Sequence, residues 1–371
     1  MKVALVHDYL REFGGAERVL KVLTEMYPRA PIYTAFCVKG STAEKEFRGK
    51  EIHESWLAPF LKIGRAYSPL RFLIPLIWRS MDLTSYDLVI TSCSWYITRG
   101  FKIGNKTRVV AYCHTPPRWL YGYETSINLQ KYWPVKIYAA IVGHFMRMYD
   151  WKSSQKVKYW IANSKNVQDR IIKFYRKDSK VIYPPVETTR IMNYDSRIGG
   201  RKGNYFLIAS RLVGAKGIEK VIKAFRSKAL SEYKLKIVGE ASGYVNITDN
   251  VRPCKNVEFL GRVGDNELWE LYAGARGFIA LARDEDFGMT VVEAQAAGTP
   301  VLAFNGGGFK ESVVDGETGI LINNTNEWTI INAVRKLNKI KWDRMKLRRN
   351  AERFSKERFI KEIKNYMGSR M

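Results

Sequence analysis

Two glutamates eight residues apart, Glu285 and Glu293, stand in R-D-E-D-F-G-M-T-V-V-E-A-Q-A-A-G-T-P-V (Arg283–Val301). The pattern puts Glu285 in a loop before a helix and Glu293 inside that helix, with Gly298-Thr299-Pro300 ending it. Asp286 is placed to cap the helix, and the N–H groups of Phe287, Gly288, Met289 and Thr290 to meet a ligand oxygen. Such a pair serves either binding chemistry or plain capping, and the residues alone leave both open. Upstream, S-R-L-V-G-A-K-G (Ser210–Gly217) sets Arg211 and Lys216 at a strand end and a helix start. Two cations there either clamp a diphosphate from two sides or stand solvated. In F-G-G-A-E-R (Phe13–Arg18), Gly14 and Gly15 allow close backbone approach to an anion, or make an ordinary strand-to-helix turn.

The elements that must position these groups are short apolar runs rich in Val, Ile and Tyr. The first half offers Lys2–Tyr9, Pro31–Phe36, Tyr86–Ser92, Arg108–His114 and Tyr159–Ser164. The second half offers Tyr205–Ser210, Leu235–Gly239, Val257–Leu260, Gly277–Ala282, Pro300–Phe304 and Gly319–Ile322, with helices at Gly217–Phe225, Asn266–Tyr272 and Thr290–Ala297. The runs are continuous rather than alternating, which is how strands covered on both faces read. Alternation with helices points to parallel, doubly wound sheets. Tyr183-Pro184-Pro185 and the polar, Gly-rich stretch Thr188–Gly203 read as a linker. The expectation is an α/β protein of two Rossmann-like domains, 1–190 and 191–350, with parallel sheets facing across a cleft. Residues 351–371 are expected to form a C-terminal helix that packs back towards the first domain. In open parallel sheets ligands sit outside the carboxyl ends of the strands, where the loops above lie.

Composition narrows the field. A chain of 371 residues is long for one core, and 46% hydrophobic and 13% aromatic content excludes a disordered chain. Sixty-two Lys and Arg against 36 Asp and Glu give a net charge of +26, which calls for an anionic partner. Cys37, Cys93, Cys113 and Cys254 lack metal-ligand or disulfide spacing. The apolar start breaks at His7 and Asp8, too soon for a signal peptide. Phe72–Trp78 and Ile137–Met146 fall short of the roughly 20 residues that span a bilayer. The expectation is a soluble protein of a reducing compartment.

The segment E-D-F-G-M-T-V-V-E-A-Q-A-A-G-T-P-V resembles the E-x7-E motif of retaining GT-B glycosyltransferases, in its family 4 form. S-R-L-V-G-A-K-G resembles the same family's diphosphate clamp, and F-L-G-R-V (Phe259–Val263) and G-G-G-F-K-E-S-V-V-D-G-E-T-G (Gly306–Gly319) follow in order. H-D-Y-L-R-E-F-G-G-A-E-R and C-H-T-P-P-R-W-L are similar to the branch containing bacterial O-antigen and lipopolysaccharide mannosyltransferases. The resemblance implies that Arg211 and Lys216 hold the donor diphosphate, Glu293 the ribose and Glu285 the transferred sugar. It implies that the N–H groups of Phe287, Gly288 and Met289 meet sugar and phosphate, with Gly14 and Gly15 closing from the other domain. The base is implied to rest near Arg262 and Val263, and His114 to be the active-site histidine near sugar and acceptor. His7, His53 and His144 match no motif. V-G-E-A-S-G (Val238–Gly243) departs from the family, many members of which carry a second glycine after V-G-x.

The implied reaction moves a hexose, mannose from GDP-mannose by resemblance, to a hydroxyl of a glycan or lipid-linked acceptor with retention of configuration. Asp284-Glu285-Asp286 is also a D-x-D triplet, a metal site in another fold. Its setting inside E-x7-E and the two cations favour an enzyme with no cofactor and no essential metal. The rivals are a nucleic-acid-binding protein, for which no finger, RNP or helix-turn-helix pattern is seen, and a phosphorylase of the same architecture. Residues 56–180 hold 21 Lys/Arg against 6 Asp/Glu. Interleaved with them are Trp56, Phe60, Tyr67, Phe72 and Trp78, then Tyr132, Trp133, Tyr138, Phe145 and Trp151. This pattern leads to the expectation of peripheral docking on the cytoplasmic face of an anionic membrane, using Lys62, Arg65, Arg71 and Arg79.

Overall fold

A computed structural model of the chain describes residues 1–64, 66–123, 132–198, 202–240 and 254–369. They form two compact units, one holding the chain up to Pro185 together with the stretch from Ile360, the other holding Val186–Phe359. The chain passes between them just after the two prolines.

The first unit is built on seven parallel strands in the order Ile52–Glu54, Ile32–Thr34, Val3–His7, Leu88–Cys93, Arg108–Cys113, Tyr159–Ala162 and Lys180–Val181. Leu88–Cys93 is buried at all six positions, as its continuous apolar run requires. Register puts His7 beside Ser92 and Cys93 beside Cys113, so the ends of three central strands are level. Helix Gly15–Met26 covers the sheet through Val19, Leu20, Val22 and Leu23. The core also encloses a charge: Arg99 donates through Nη2 to Asp150 Oδ1, and the Tyr121 and Tyr175 hydroxyls donate to the same carboxylate. A buried ion pair of this kind is tolerated only when hydrogen-bonded on all sides.

The second unit has six parallel strands in the order Val257–Gly261, Lys234–Val238, Tyr205–Ala209, Gly277–Ala280, Val301–Phe304 and Gly319–Ile322. Helices Ile218–Phe225 and Glu327–Lys339 bury Val221, Ile222, Phe225, Ile330, Val334 and Leu337 against the sheet. Both units are therefore Rossmann-like, with parallel sheets.

Two readings of the sequence change. Thr188–Ile198, read as linker, is a helix whose Ile191 is buried and whose Tyr194 stacks edge-on to Trp269. The C-terminal helix expected over residues 351–371 runs Lys356–Gly368, and a separate helix, Arg344–Glu352, precedes it. Gly199-Gly200 and residues 241–243 of V-G-E-A-S-G lie outside the described residues.

The first unit also carries an exposed apolar surface. Helix Trp133–Gln155 buries Gly143, Met146, Asp150, Ser153 and Ser154 on one side. On another side Trp133, Ile137, Ile141, Phe145, Met148 and Trp151 succeed one another at three- and four-residue spacing, and Trp133 and Phe145 are 72% and 65% exposed. Tyr132, Tyr138, Trp56, Phe60 and Phe72 are exposed as well. Three expected surface residues, Trp78, Tyr67 and Arg71, are taken up by packing. Trp78 is wholly buried and donates its indole N–H to Tyr96 O at 2.6 Å. Tyr67 packs on Tyr9 and Phe36. Arg71 lies over the rings of Trp95 and Trp119. Lys62 stays exposed, in a surface ion pair with Glu54 at 2.7 Å. Arg65 lies outside the described residues. Among the described residues no helix is long and apolar enough to cross a membrane.

Candidate active site

In the second unit the loops following three adjacent strands converge. Tyr205–Ala209 leads into Ser210–Gly217, Gly277–Ala280 into the Glu285 loop, and Val301–Phe304 into Gly306-Gly307-Gly308. Lys216 Nζ donates to Glu285 Oε2 at 2.5 Å, with both side chains about a fifth to a quarter exposed (25% and 19%). The glycine run explains how Glu285 is placed. Gly308 N donates to Glu285 O at 2.9 Å, and a Cβ at Gly307 would stand 2.3 Å from the same carbonyl at a φ of +54°. A Cβ at Gly308 would stand 2.4 Å from Phe287 Cα. The two loops lie backbone against backbone, and any side chain between them moves Glu285. A small cavity of about 30 Å³, lined by Ser210, Lys216, Glu285, Thr290 and Phe309 among others, lies at this junction.

Gly288 turns the loop into helix Met289–Ala296 at a φ of +88°, with a would-be Cβ 2.5 Å from the Phe309 ring. The residue at the N-cap is Gly288 itself, which has no side chain with which to cap the helix. The start of this helix lies at the same cavity as Lys216, through Thr290, and the positive end of a helix favours an anion. Glu293 is 5% exposed, and Oε2 accepts the Tyr272 hydroxyl at 3.0 Å. Arg211 is exposed in the same loop as Lys216 and makes no side-chain hydrogen bond or ion pair to a described residue. Arg262 and Val263 follow the edge strand Val257–Gly261, with Lys234–Val238 between it and Tyr205–Ala209. Among the described residues no group of three His, Cys, Asp or Glu is arranged to hold a metal ion.

In the first unit the strand ends gather polar groups that are almost fully enclosed. His114, directly after Arg108–Cys113, is 9% exposed; its Nε2 lies 2.8 Å from Ser92 Oγ. Ser92 Oγ is also 3.0 Å from His7 Nδ1, and His7 Nε2 is 3.3 Å from Glu17 Oε1. Glu17 Oε2 in turn accepts the Gly14 N–H at 2.9 Å, fixing the start of helix Gly15–Met26. His114 and the Gly14-Gly15 turn are therefore joined by one hydrogen-bonded chain. Burial, with the neighbouring His7 charge, pushes the His114 imidazole down to about 3. Asp8 is pushed up to about 6 by burial, against the pull of His7 and the Ser94, Tyr96 and Trp95 N–H groups. Burial raises the Glu17 carboxyl, but its hydrogen bond to His7 and the His7 charge outweigh that and hold it below the usual range.

His7, Glu17 and Ser92 had no role on sequence grounds. The available signal is a polar residue closing a fully apolar strand, at His7 and again at Ser92-Cys93.

Two family models match, one on each half. Glycosyltransferase Family 4 covers residues 13–190, and Glycosyl transferases group 1 covers residues 196–354. The chain is 25% identical to the alpha-1,3/1,6-mannosyltransferase ALG2 of Candida glabrata, over 85% of this chain and 78% of that protein. Its fold superposes on Anabaena HepE, solved with UDP and glucose, with TM-score 0.69 and 19% identity over the whole of both chains. It also superposes on the sucrose-phosphate synthase of Thermosynechococcus elongatus with TM-score 0.73 and 16% identity, over 100% of this chain and 99% of that one. With these matches spanning both halves, the protein is a glycosyltransferase of the family 4/group 1 kind on a GT-B fold.

Proposed function

We propose that this enzyme transfers mannose from GDP-mannose, with retention of configuration, to a hydroxyl of a glycan or lipid-linked acceptor in the synthesis of a surface polysaccharide or glycoconjugate. The observation that carries the reading is the Lys216–Glu285 pair at the strand ends, with the helix start at Gly288 and Arg211 in the adjoining loops. Lys216, Arg211 and the N–H groups of Phe287, Gly288, Met289 and Thr290 take the donor diphosphate and stabilise its charge as the glycosidic bond breaks. Glu285 orients the sugar, and Glu293 holds the ribose while anchored by Tyr272. The base rests near Arg262 and Val263. The resemblance assigns Gly14 and Gly15 to the donor and His114 to the sugar and acceptor. The departing diphosphate takes the acceptor proton on the same face of the sugar, so no second carboxylate is required and no metal is essential.

Mannose as the sugar draws support from the similarity to a mannosyltransferase. The structure of HepE with UDP and glucose makes UDP-glucose the second donor to test. A thermal-shift panel of nucleotide sugars decides between them, because a ligand that binds the folded state raises Tm. GDP-mannose is expected to give the largest rise and to support transfer in EDTA. A rise with UDP-glucose alone reassigns the donor, and loss of activity in EDTA restored by manganese revives the D-x-D reading.

The acceptor is reached at an anionic membrane surface on the cytoplasmic side. The exposed row along Trp133–Gln155 supports this, since an apolar stripe flanked by Lys152 and Lys156 suits interfacial seating. A nucleic acid would use the charge but not the stripe.

A further inference from the structure

We propose that Glu17, His7 and Ser92 form a positioning relay that locks His114 as its Nε2–H tautomer and leaves Nδ1 as the only acceptor atom of its ring. The proposal rests on the assignment of His114 to the reacting sugar, and adds to it which ring atom does the work.

The proton count follows from the donor inventory of each group. Ionised Glu17 can only accept, and it does so twice, from Gly14 N–H and from His7 Nε2–H. With a single proton on the His7 ring, placed on the Nε2 that faces Glu17, Nδ1 presents a lone pair to Ser92 Oγ at 3.0 Å; a second proton on that ring would reverse the chain. Serine has one hydroxyl proton, and it is committed to His7. Its oxygen must therefore accept from His114 Nε2–H, the contact at 2.8 Å. His114 is held neutral by burial, so one proton on Nε2 means none on Nδ1. Nδ1 makes no hydrogen bond to any described residue and is left to accept one from a hydroxyl.

The same chain carries the order in reverse if Glu17 no longer accepts. A hydroxyl of Ser92 that turned to donate to His114 would make Nδ1 the protonated atom, a donor in place of an acceptor. The backbone fixes the spacing: His7 and Ser92 are register partners on adjacent strands, and His114 N donates to Cys93 O at 2.9 Å. Glu17 reaches His7 from the first turn of the helix, where its other oxygen holds the Gly14 turn. One carboxylate thus sets both the glycine turn and the polarity of the histidine.

The test is long-range proton–nitrogen NMR of the histidine-labelled full-length protein at about pH 8, above the ordinary histidine range, in which four histidines are to be resolved. His114 is expected as the Nε2–H tautomer in the wild type. Ser92→Ala is expected to give a mixture of tautomers and to lower kcat about 10-fold with little change in the donor KM, the scale seen when a partner that orients an imidazole is removed. Glu17→Gln, at a partly exposed helix position, gives the same direction of change if Ser92→Ala fails to fold, and Ser92→Thr, which keeps a hydroxyl, is expected to retain the lock. A wild-type His114 protonated on Nδ1, or a tautomer unchanged in both Ser92→Ala and Glu17→Gln, overturns the relay. Unchanged transfer by His114→Ala alongside the expected spectra keeps the relay and removes His114 from the reaction.

Discussion

Lys216 and Glu285 are joined at 2.5 Å although 69 residues separate them, because parallel neighbours Tyr205–Ala209 and Gly277–Ala280 end at the same level. The cation that is to meet the diphosphate and the carboxylate that is to meet the sugar are thus one unit. Lys216→Ala is expected to lower kcat by roughly 100-fold or more, the cost of one preorganised charge donor, and Arg211→Ala by a similar factor. Because Lys216 and Glu285 touch, Lys216→Ala/Glu285→Gln should lose less than the product of the single effects. Steady-state kinetics of the four proteins checks this. Near-wild-type kinetics for both basic variants removes the diphosphate assignment.

Glu293 has two duties that separate by mutation. Its Oε2 accepts the buried Tyr272 hydroxyl, so Glu293→Ala is expected to destabilise the fold by about 1–3 kcal/mol as well as raise the donor KM. Tyr272→Phe removes only the internal contact and should shift Tm with a much smaller change in KM. Equal KM changes in the two variants would mean that Glu293 acts on the donor only by being held in place.

Gly307 tests whether loop contact sets the position of Glu285. Its φ of +54° and the 2.3 Å approach of a Cβ to Glu285 O make Gly307→Ala a backbone displacement. Donor affinity should fall by about 10-fold or more, since an ångström-scale shift at a positioned group costs up to 100-fold. Gly316→Ala, also at positive φ (+77°) but with no atom within 4 Å of its Cβ, is the control and should leave donor affinity unchanged.

Most strands were legible because a strand buried on both faces needs an unbroken Val/Ile/Leu run, and few other elements do. Lys180–Val181 and Ile52–Glu54 were not, since short edge strands are specified by the pairing their neighbours offer rather than by their own composition. Thr188–Ile198 was hidden for a related reason: T-T-R-I-M-N-Y-D-S-R-I is polar enough for a linker, and its helix is held by packing of Ile191 and Tyr194. The motif residues of the second unit were legible as a cluster because each closes a strand. The His7–Ser92–His114 chain was not, because it depends on the register of strands 85 residues apart. Among the aromatics, helical phase inside Ile74–Arg79 sends Trp78 inward, a distinction that simple interleaving with charge does not make.

The enclosed acids and bases of the first unit set opposing pH dependences. The His114 ring, lowered to about 3, contributes stability that is complete above the ordinary histidine range and is lost on acidification, because the unfolded chain takes up the proton first. Between about pH 7.5 and 5 this loss amounts to the order of 2 kcal/mol. Asp8, raised to about 6, acts the other way, since its contribution is complete below the ordinary aspartate range and fades as pH rises through 6. Asp8→Asn should therefore gain stability over the wild type at about pH 7.5, and His114→Gln should lose less than the wild type on going to pH 5. Urea midpoints at the two pH values measure both. The same pH slope in wild type and His114→Gln would mean that the imidazole is hydrated rather than enclosed.

The final expectation concerns the row of exposed side chains on Trp133–Gln155. A helix whose buried side is occupied by Gly143, Met146 and Asp150 has no structural use for Trp133, Ile137, Ile141, Phe145 and Trp151 on its outer faces, and a water-facing surface would favour polar residues there. Inserted into the headgroup boundary, these side chains leave water, and each nearby Lys or Arg adds about 1 kcal/mol on an anionic surface. Lys152 on this helix, Lys156 just beyond its end and Arg79 elsewhere in the same unit are exposed. Pelleting with phosphatidylglycerol vesicles at low salt is therefore expected, and raised salt or Lys152→Glu/Lys156→Glu should weaken it. Trp133→Ser/Phe145→Ser should weaken pelleting at every salt concentration, because the apolar contribution is not screened. Trp78→Phe, at a buried site, should leave vesicle binding unchanged wherever the variant is folded. Wild-type protein that stays in the supernatant at low salt refutes membrane docking and makes a soluble glycan the acceptor to pursue.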